Sequence, residues 1–336
     1  MTLKKQLKKL LTGLSIQQEY LCLSLEDIKQ SMRVFLTTIK STSYVEVTKS
    51  HLLLGYKPLV VAIVCDQNLT VAVGELLEKE ETICLHFGQL DFEANARWSN
   101  FGADKKSTAR IILHRIEKKI LGTATVYLYE GVHGEHDFIS RWHQWVNALY
   151  EGVKIQRAGN IKLPGNLYEQ VRIAYSIPRT VSIITVSDRD GINMFPTDLH
   201  GAVGEEFYIG SLRIGGMANH QVEQLKRIVI SEVDAKCYRE AYLLGQNHMR
   251  GLQGSTKFSL HQQVSDQFRY PLPKDVIRYR ELIWRDSVDI GIHRINIYNV
   301  VSARMVIASM TTLAHVHHYY VQWRQDRGLK TNYLLR

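Results

Sequence analysis

Apolar residues recur at two different periods along this chain. Leu3, Leu7, Leu10, Leu11 and Leu14 share one helical face with lysines opposite, which predicts an amphipathic helix ended by Gly13. Ser24-Leu25-Glu26-Asp27 carries an N-cap signal and predicts a second helix to about Lys40. The pattern then becomes β-like. Tyr44–Val47 alternates, Leu59–Val64 is a continuous apolar run of the kind buried on both faces, and Thr70–Val73 and Thr82–Phe87 follow. A helix is expected over residues 107–120, a strand over Ala124–Tyr129, and a helix over Asp137–Val153 that carries Trp142 and Trp145. This mixture predicts an α+β domain over residues 1–160.

Gly159–Gly165, with Pro164 and little apolar periodicity, is the expected linker. Beyond it a second domain is expected over residues 165–336. Asn166–Ala174 is its helical lead-in, and Thr180–Val186 and Glu206–Arg213 are its first strands. A polar loop, Asp188–Gly201, joins them. Gly215-Gly216 then turns the chain into Asn219-His220-Gln221 and a helix. Helices are expected near Lys236–Leu244 and Lys274–Trp284, around a polar stretch Gln246–Gly254. Val288–Ala303 and Met305–Thr312 read as paired strands, and His315–Trp323 as a helix or strand dense in aromatics. Both halves alternate strands with a Trp- or Tyr-bearing helix, but they do not align residue by residue, so no internal repeat is read. Strand, polar loop, strand, glycine turn and helix make a frame for an anionic, aromatic ligand, because backbone donors at the turn and helix start can take a phosphate.

Three pieces in order resemble the flavin reductase-like family, the FMN-binding split barrels. They are Asp190-Gly191-Ile192-Asn193-Met194-Phe195-Pro196-Thr197-Asp198, then Ser211-Leu212-Arg213-Ile214-Gly215-Gly216-Met217-Ala218-Asn219, then Asp289-Ile290-Gly291-Ile292-His293-Arg294-Ile295-Asn296-Ile297. The resemblance covers about half the chain. For the second domain it implies an FMN-binding split β-barrel, so the chain is expected to be α+β, with the N-terminal α+β domain preceding the barrel. It also implies a flavin-dependent NAD(P)H oxidoreductase, with NAD(P)H as a transient co-substrate and a homodimer built through the barrel. The flavin-contacting residues it implies are Asn193, Met194, Phe195 and Thr197 under the ring. Ser211, Arg213, Gly216 and Asn219 would stand at the phosphate turn, and His293 on the strand crossing the site. Where the family has a Ser/Thr-rich loop, this chain has Phe195-Pro196-Thr197-Asp198-Leu199-His200. That departure leaves a non-catalytic FMN-binding or protein-interaction module as the alternative. No catalytic side chain is assigned, because the cofactor carries the hydride chemistry.

Composition adds little that is specific. With 336 residues, 45% hydrophobic and 22% charged, the chain has the length and balance of a two-domain globular protein. The net charge of +9 attracts anions, yet no basic block is interleaved with aromatics, so no specific nucleic-acid partner is expected. No apolar run approaches the length of a membrane span. Lys8 and Lys9 interrupt the first apolar stretch, so no secretory leader and a cytoplasmic location are expected. Cys22, Cys65, Cys84 and Cys237 lack CxxC spacing and read as reduced core residues. His133-Gly134-Glu135-His136 with His143, and His315, His317 and His318, match no metal motif, so no metal is assigned. The first helix lacks Trp and Phe on its apolar face, so it is expected to pack on protein rather than on a membrane. Leu313–Trp323 is too apolar to leave exposed, which supports the expected homodimer.

Overall fold

The computed structural model describes residues 3–16, 18–25, 32–38, 44–66, 71–88, 108–153, 161–308, 311–329 and 332–334. These are mostly β. The first half runs α1 (Leu3–Thr12), β1 (Tyr20–Leu25), β2 (Arg33–Thr38), β3 (Val45–Glu46), β4 (His51–Tyr56), β5 (Leu59–Cys65), α2 (Val71–Lys79), β6 (Thr82–Gly88), β7 (Ala109–Leu121), β8 (Ala124–His136) and α3 (Arg141–Val153). The second half begins with α4 (Leu167–Ala174), β9 (Arg179–Thr180), β10 (Ser182–Asp188), β11 (Gly191–Thr197), β12 (His200–Val203), β13 (Phe207–Arg213), α5 (Met217–Leu225) and β14 (Arg227–Val233). It ends with α6 (Tyr238–Leu243), β15 (Leu260–Val264), β16 (Pro271–Pro273), β17 (Val276–Ile290), β18 (His293–Met305), β19 (Thr312–His317), α7 (His318–Asp326) and β20 (Tyr333–Leu334).

Two antiparallel sheets of seven strands dominate. The first has the order β3-β2-β6-β7-β8-β5-β4 and the second β11-β10-β14-β17-β18-β13-β12. Strand for strand, these are the same order. A four-stranded sheet, β20-β1-β19-β9, joins the ends of the chain, with Leu21 opposite Val316 and Leu23 opposite Ala314. Between the seven-stranded sheets lies one apolar layer. Val60, Ala62, Val126 and Leu128 of the first half meet Phe207, Ile209, Ile295 and Ile297 of the second.

Several expected elements change type. Residues 107–120 and Lys274–Trp284 were expected to be helices and form strands β7 and β17. Ala109, Ile111 and Leu113 alternate inward, but β-bulges insert an extra residue, Ile116 in β7 against β8 and Ile277 in β17 against β14. Each bulge shifts the period-two pattern by one, and the broken alternation mimics a helical face. Of the expected strand Thr70–Val73, residues 71–73 belong instead to helix α2, which buries Val73 and Leu77 one turn apart, and Thr70 lies outside the described part. The expected second helix to Lys40 gives way to β1 and β2, with residues 26–31 outside the described part. The polar loop Asp188–Gly201 is strands β11 and β12. Residues 159 and 160 of the expected linker also lie outside the described part. Leu313–Trp323 is buried within the chain itself, Tyr319 and Val321 fully, which removes the reason given for a homodimer.

Candidate functional site

The site is assembled where the β17–β18 hairpin meets β13. Register places Arg213 opposite His293 and Ser211 opposite Ile295. Ser211 Oγ lies 3.1 Å from His293 Nδ1. When the hydroxyl donates to Nδ1, the ring proton sits on Nε2. His293 Nε2 is buried with no hydrogen-bond partner, an unmet donor in this tautomer and an unmet acceptor in the other, and costly in either. Burial first, then the charge of Arg213, lowers the His293 pKa to about 4, so the ring is neutral at pH 7. Its face meets Tyr56 of the first half edge-on, with ring centroids 4.5 Å apart.

After β13 the chain turns at Arg213-Ile214-Gly215-Gly216. Gly216 N–H donates to Arg213 O at 3.2 Å, and Gly215 has φ +80°, which only glycine adopts without strain. Gly216 is the N-cap of α5, and no side chain caps the helix start. Its first-turn N–H groups and the exposed Arg213 therefore offer positive potential at one end of the Ser211–His293 pair. Asn219, in that first turn, is buried with Oδ1 unpartnered. Ser211, Arg213 and His293 lie together on the paired strands β13 and β18, on the face that carries Ile209 and Ile295, whereas Gly216 caps helix α5, whose Ala218 and Val222 pack with Leu212 on the opposite face.

Asn193, Met194 and Phe195 lie elsewhere in the same half. All three are buried in β11. Residues 246–253 run along the free edge of that strand. Ile192 and Gln253 exchange two backbone hydrogen bonds, Asn247 Nδ2 donates to Met194 O at 3.0 Å, and His248 Nε2 donates to Pro196 O at 2.8 Å. The Asn193 amide donates to Gln221 Oε1 at 2.8 Å and to the carbonyls of Asn247 and Arg250. The chain itself thus occupies the polar groups along this edge. Thr197 Oγ1 accepts from Leu199 N–H.

Sequence reasoning missed a second polar group at the end of β11. Asp198 accepts from His315 Nδ1 at 2.7 Å, and Tyr20 and Tyr175 pack on the His315 ring at 5.3 and 5.4 Å. Burial pushes the Asp198 carboxyl up, but the His315 hydrogen bond and nearby positive charge outweigh it and hold the pKa below its ordinary value. His315 sits over a hundred residues away in sequence, so no local motif announces the pair. The cavity under β11, lined by Met194, Cys237, Leu244 and Phe258, is only about 10 Å³, room for about one water.

The histidines weighed as metal ligands go to separate partners. His136 Nε2 meets Glu169 at 2.9 Å, and His143 Nε2 donates to Leu10 O at 3.1 Å. Among the described residues, no group of three or more His, Cys, Asp or Glu is placed to hold a metal ion, and no helix is long and apolar enough to cross a membrane.

No family model matches the chain, and no curated protein matches it. Solved structures do match. An NADH:FAD oxidoreductase of Streptomyces globisporus is 13% identical over 47% of this chain and 94% of that one, with a TM-score of 0.40. An FMN-binding protein of Thermus thermophilus is 13% identical over 49% of this chain and 95% of its own, with a TM-score of 0.37. The styrene monooxygenase flavin reductase of Pseudomonas putida S12 is 11% identical over 41% of this chain and 87% of its own, at 0.34.

Proposed function

We propose that the chain is a flavin-dependent NAD(P)H oxidoreductase of the flavin reductase type, with FMN held on the second half, read as a split β-barrel. The observation that carries the reading is the buried Ser211–His293 pair, with its unpartnered ring nitrogen, beside Arg213 and the turn that leads to the uncapped start of α5. The residues fit a phosphate monoester. Arg213 supplies charge, His293 Nε2–H and the α5 amides supply donors, and one turn accommodates one phosphate, which favours FMN over FAD. Two of the three sequence pieces that resemble the flavin reductase-like family, Ser211–Asn219 and Asp289–Ile297, adjoin here.

Bound FMN would supply the hydride chemistry, and NAD(P)H would meet it as a transient co-substrate. The chain's own residues bind, orient and exclude water. Arg213 and the helix start fix the phosphate, Thr197 stands at the end of the β11 edge, and Tyr56 covers the His293 ring. No side chain is assigned a proton-transfer role. The four free cysteines suit a reducing, cytoplasmic compartment. The reading needs no second chain, because the first half already faces the site.

Arg213→Ala tests it. Loss of a charge-assisted hydrogen bond should weaken FMN binding by about 1.5–3 kcal/mol, or roughly ten- to a hundred-fold. Riboflavin, which lacks the phosphate, should be unaffected. Equal losses for both ligands in fluorescence titrations would show that Arg213 acts through structure instead. A second reading, a non-catalytic flavin-binding or interaction module, is favoured by one observation: residues 246–253 cover the edge of β11 on which the ring was expected to lie. That module would bind FMN yet leave it oxidised in the presence of NADH.

A further inference from the structure

The two seven-stranded sheets agree in more than strand order. The β7–β8 hairpin has bulges at Ile112/Leu113 and Arg115/Glu117. The β17–β18 hairpin has them at Glu281/Leu282 and Trp284/Asp286. Each position is 169 residues after its counterpart. The tips also match: Gly122 has φ +59° and Gly291 φ +58°. In the first sheet Val60 faces Glu130. In the second, Phe207 faces Asn299, again 169 residues after Glu130, so β13 follows β5 by 147 residues.

Contacts between the halves are reciprocal. The tip at Gly122 packs on Glu206 and Phe207, the turn that enters β13. The tip at Gly291 packs on Lys57 and Pro58, the turn that enters β5, and Ile292 N–H donates to Lys57 O at 3.1 Å. This is the pattern of a two-fold interface, in which the same patch meets itself. The shared apolar layer obeys it, with Val60 matching Phe207, Ala62 matching Ile209, Val126 matching Ile295 and Leu128 matching Ile297.

The symmetry fails at the candidate site. By the same offsets, Ser211 corresponds to Val64, Arg213 to Asp66 and His293 to Ala124. Helices α2 and α5 are each nine residues long, and aligning them end to end sets Asn219 against the buried Val73. The first half therefore has apolar side chains where the second has a hydrogen-bonded polar pair, and a carboxylate where the second has a guanidinium. A polar pair with an unmet ring nitrogen inside an otherwise apolar interface costs stability. Only the half that carries it has the cation beside it.

We infer that the chain is a duplicated unit folded against itself as an internal pseudo-dimer, and that it holds one phosphate-monoester site, on the second copy only. The inference rests on the flavin reading for what carries the phosphate, but not for the site itself. Two probes separate them: FMN, followed by fluorescence quenching, and inorganic phosphate, followed by phosphorus NMR, each titrated into the full chain. One FMN per chain is expected, lost at least tenfold in Arg213→Asp or Arg213→Ala and unchanged in Asp66→Asn. No FMN binding, but one phosphate per chain that depends on Arg213, would sink the flavin reading and leave the single site standing. Two ligands per chain, binding indifferent to Arg213, or no binding of either probe would overturn the inference.

Discussion

Gly291 is the position where one methyl group reports most on the way the halves meet. Its φ of +58° costs a side chain about 1–2 kcal/mol. A Cβ there would lie 2.9 Å from the Lys57 carbonyl carbon and closer still to its oxygen. Those are backbone atoms of the opposite half and cannot swing away. Moving that turn would cost about 1–3 kcal/mol and weaken the Ile292–Lys57 hydrogen bond, worth about 1 kcal/mol. Gly291→Ala should therefore destabilise the fold by about 3–6 kcal/mol on these terms. The counterpart, Gly122, has the same backbone but meets side-chain ends, Phe207 Cε2 at 3.0 Å and Glu206 Oε2 at 3.1 Å. These can rotate, so Gly122→Ala should cost only about 1–2 kcal/mol. Urea unfolding of both variants with an unchanged m-value measures the difference. Equal losses would refute the packing of the second hairpin tip on the Lys57–Pro58 turn.

Acid should weaken the fold well above the usual carboxylate range. Burial lowers the pKa of His293 to about 4 and, with Arg179 beside it, that of His51 to about 3. Below the ordinary histidine value the unfolded chain binds protons that the folded chain refuses, so stability is full above pH about 6.5 and falls as pH drops towards 4. For His293 alone the loss would approach about 3 kcal/mol. Denaturant midpoints at pH 7.5, 6 and 5 check this, and a flat profile would contradict it. Light scattering should give the single-chain mass of 38.7 kDa, because the barrel faces that would pair in a dimer are already paired; a stable mass of twice that would count against internal pairing.

The sequence made the second half partly legible because its site residues cluster in short local pieces. Ser211, Arg213 and Gly216 lie within one strand and its turn, and Gly291-x-His293 marks the hairpin that crosses them. The first half was read as α+β for the same physical reason that β17 was read as helix. The bulge residues Ile116 in β7 and Ile277 in β17 break the alternation on which strand recognition depends. The duplication was hidden because the matched positions keep burial and register, not identity. Val60 matches Phe207, and Arg213 matches Asp66. The Asp198–His315 pair depends on contact between β11 and β19, which no spacing rule brings together. The Asn193 Nδ2 group donates to Gln221 in α5 and to the carbonyls of Asn247 and Arg250 in one later segment, contacts that no local spacing announces.

The most direct test is anaerobic addition of NADH to the chain loaded with one equivalent of FMN, followed by the flavin absorbance. Bleaching of the bound flavin, lost when Arg213→Asp prevents loading, is the predicted result. A bound flavin that stays oxidised would leave a binding module without reductase activity, and failure of the wild-type chain to take up FMN would contradict the flavin reading altogether.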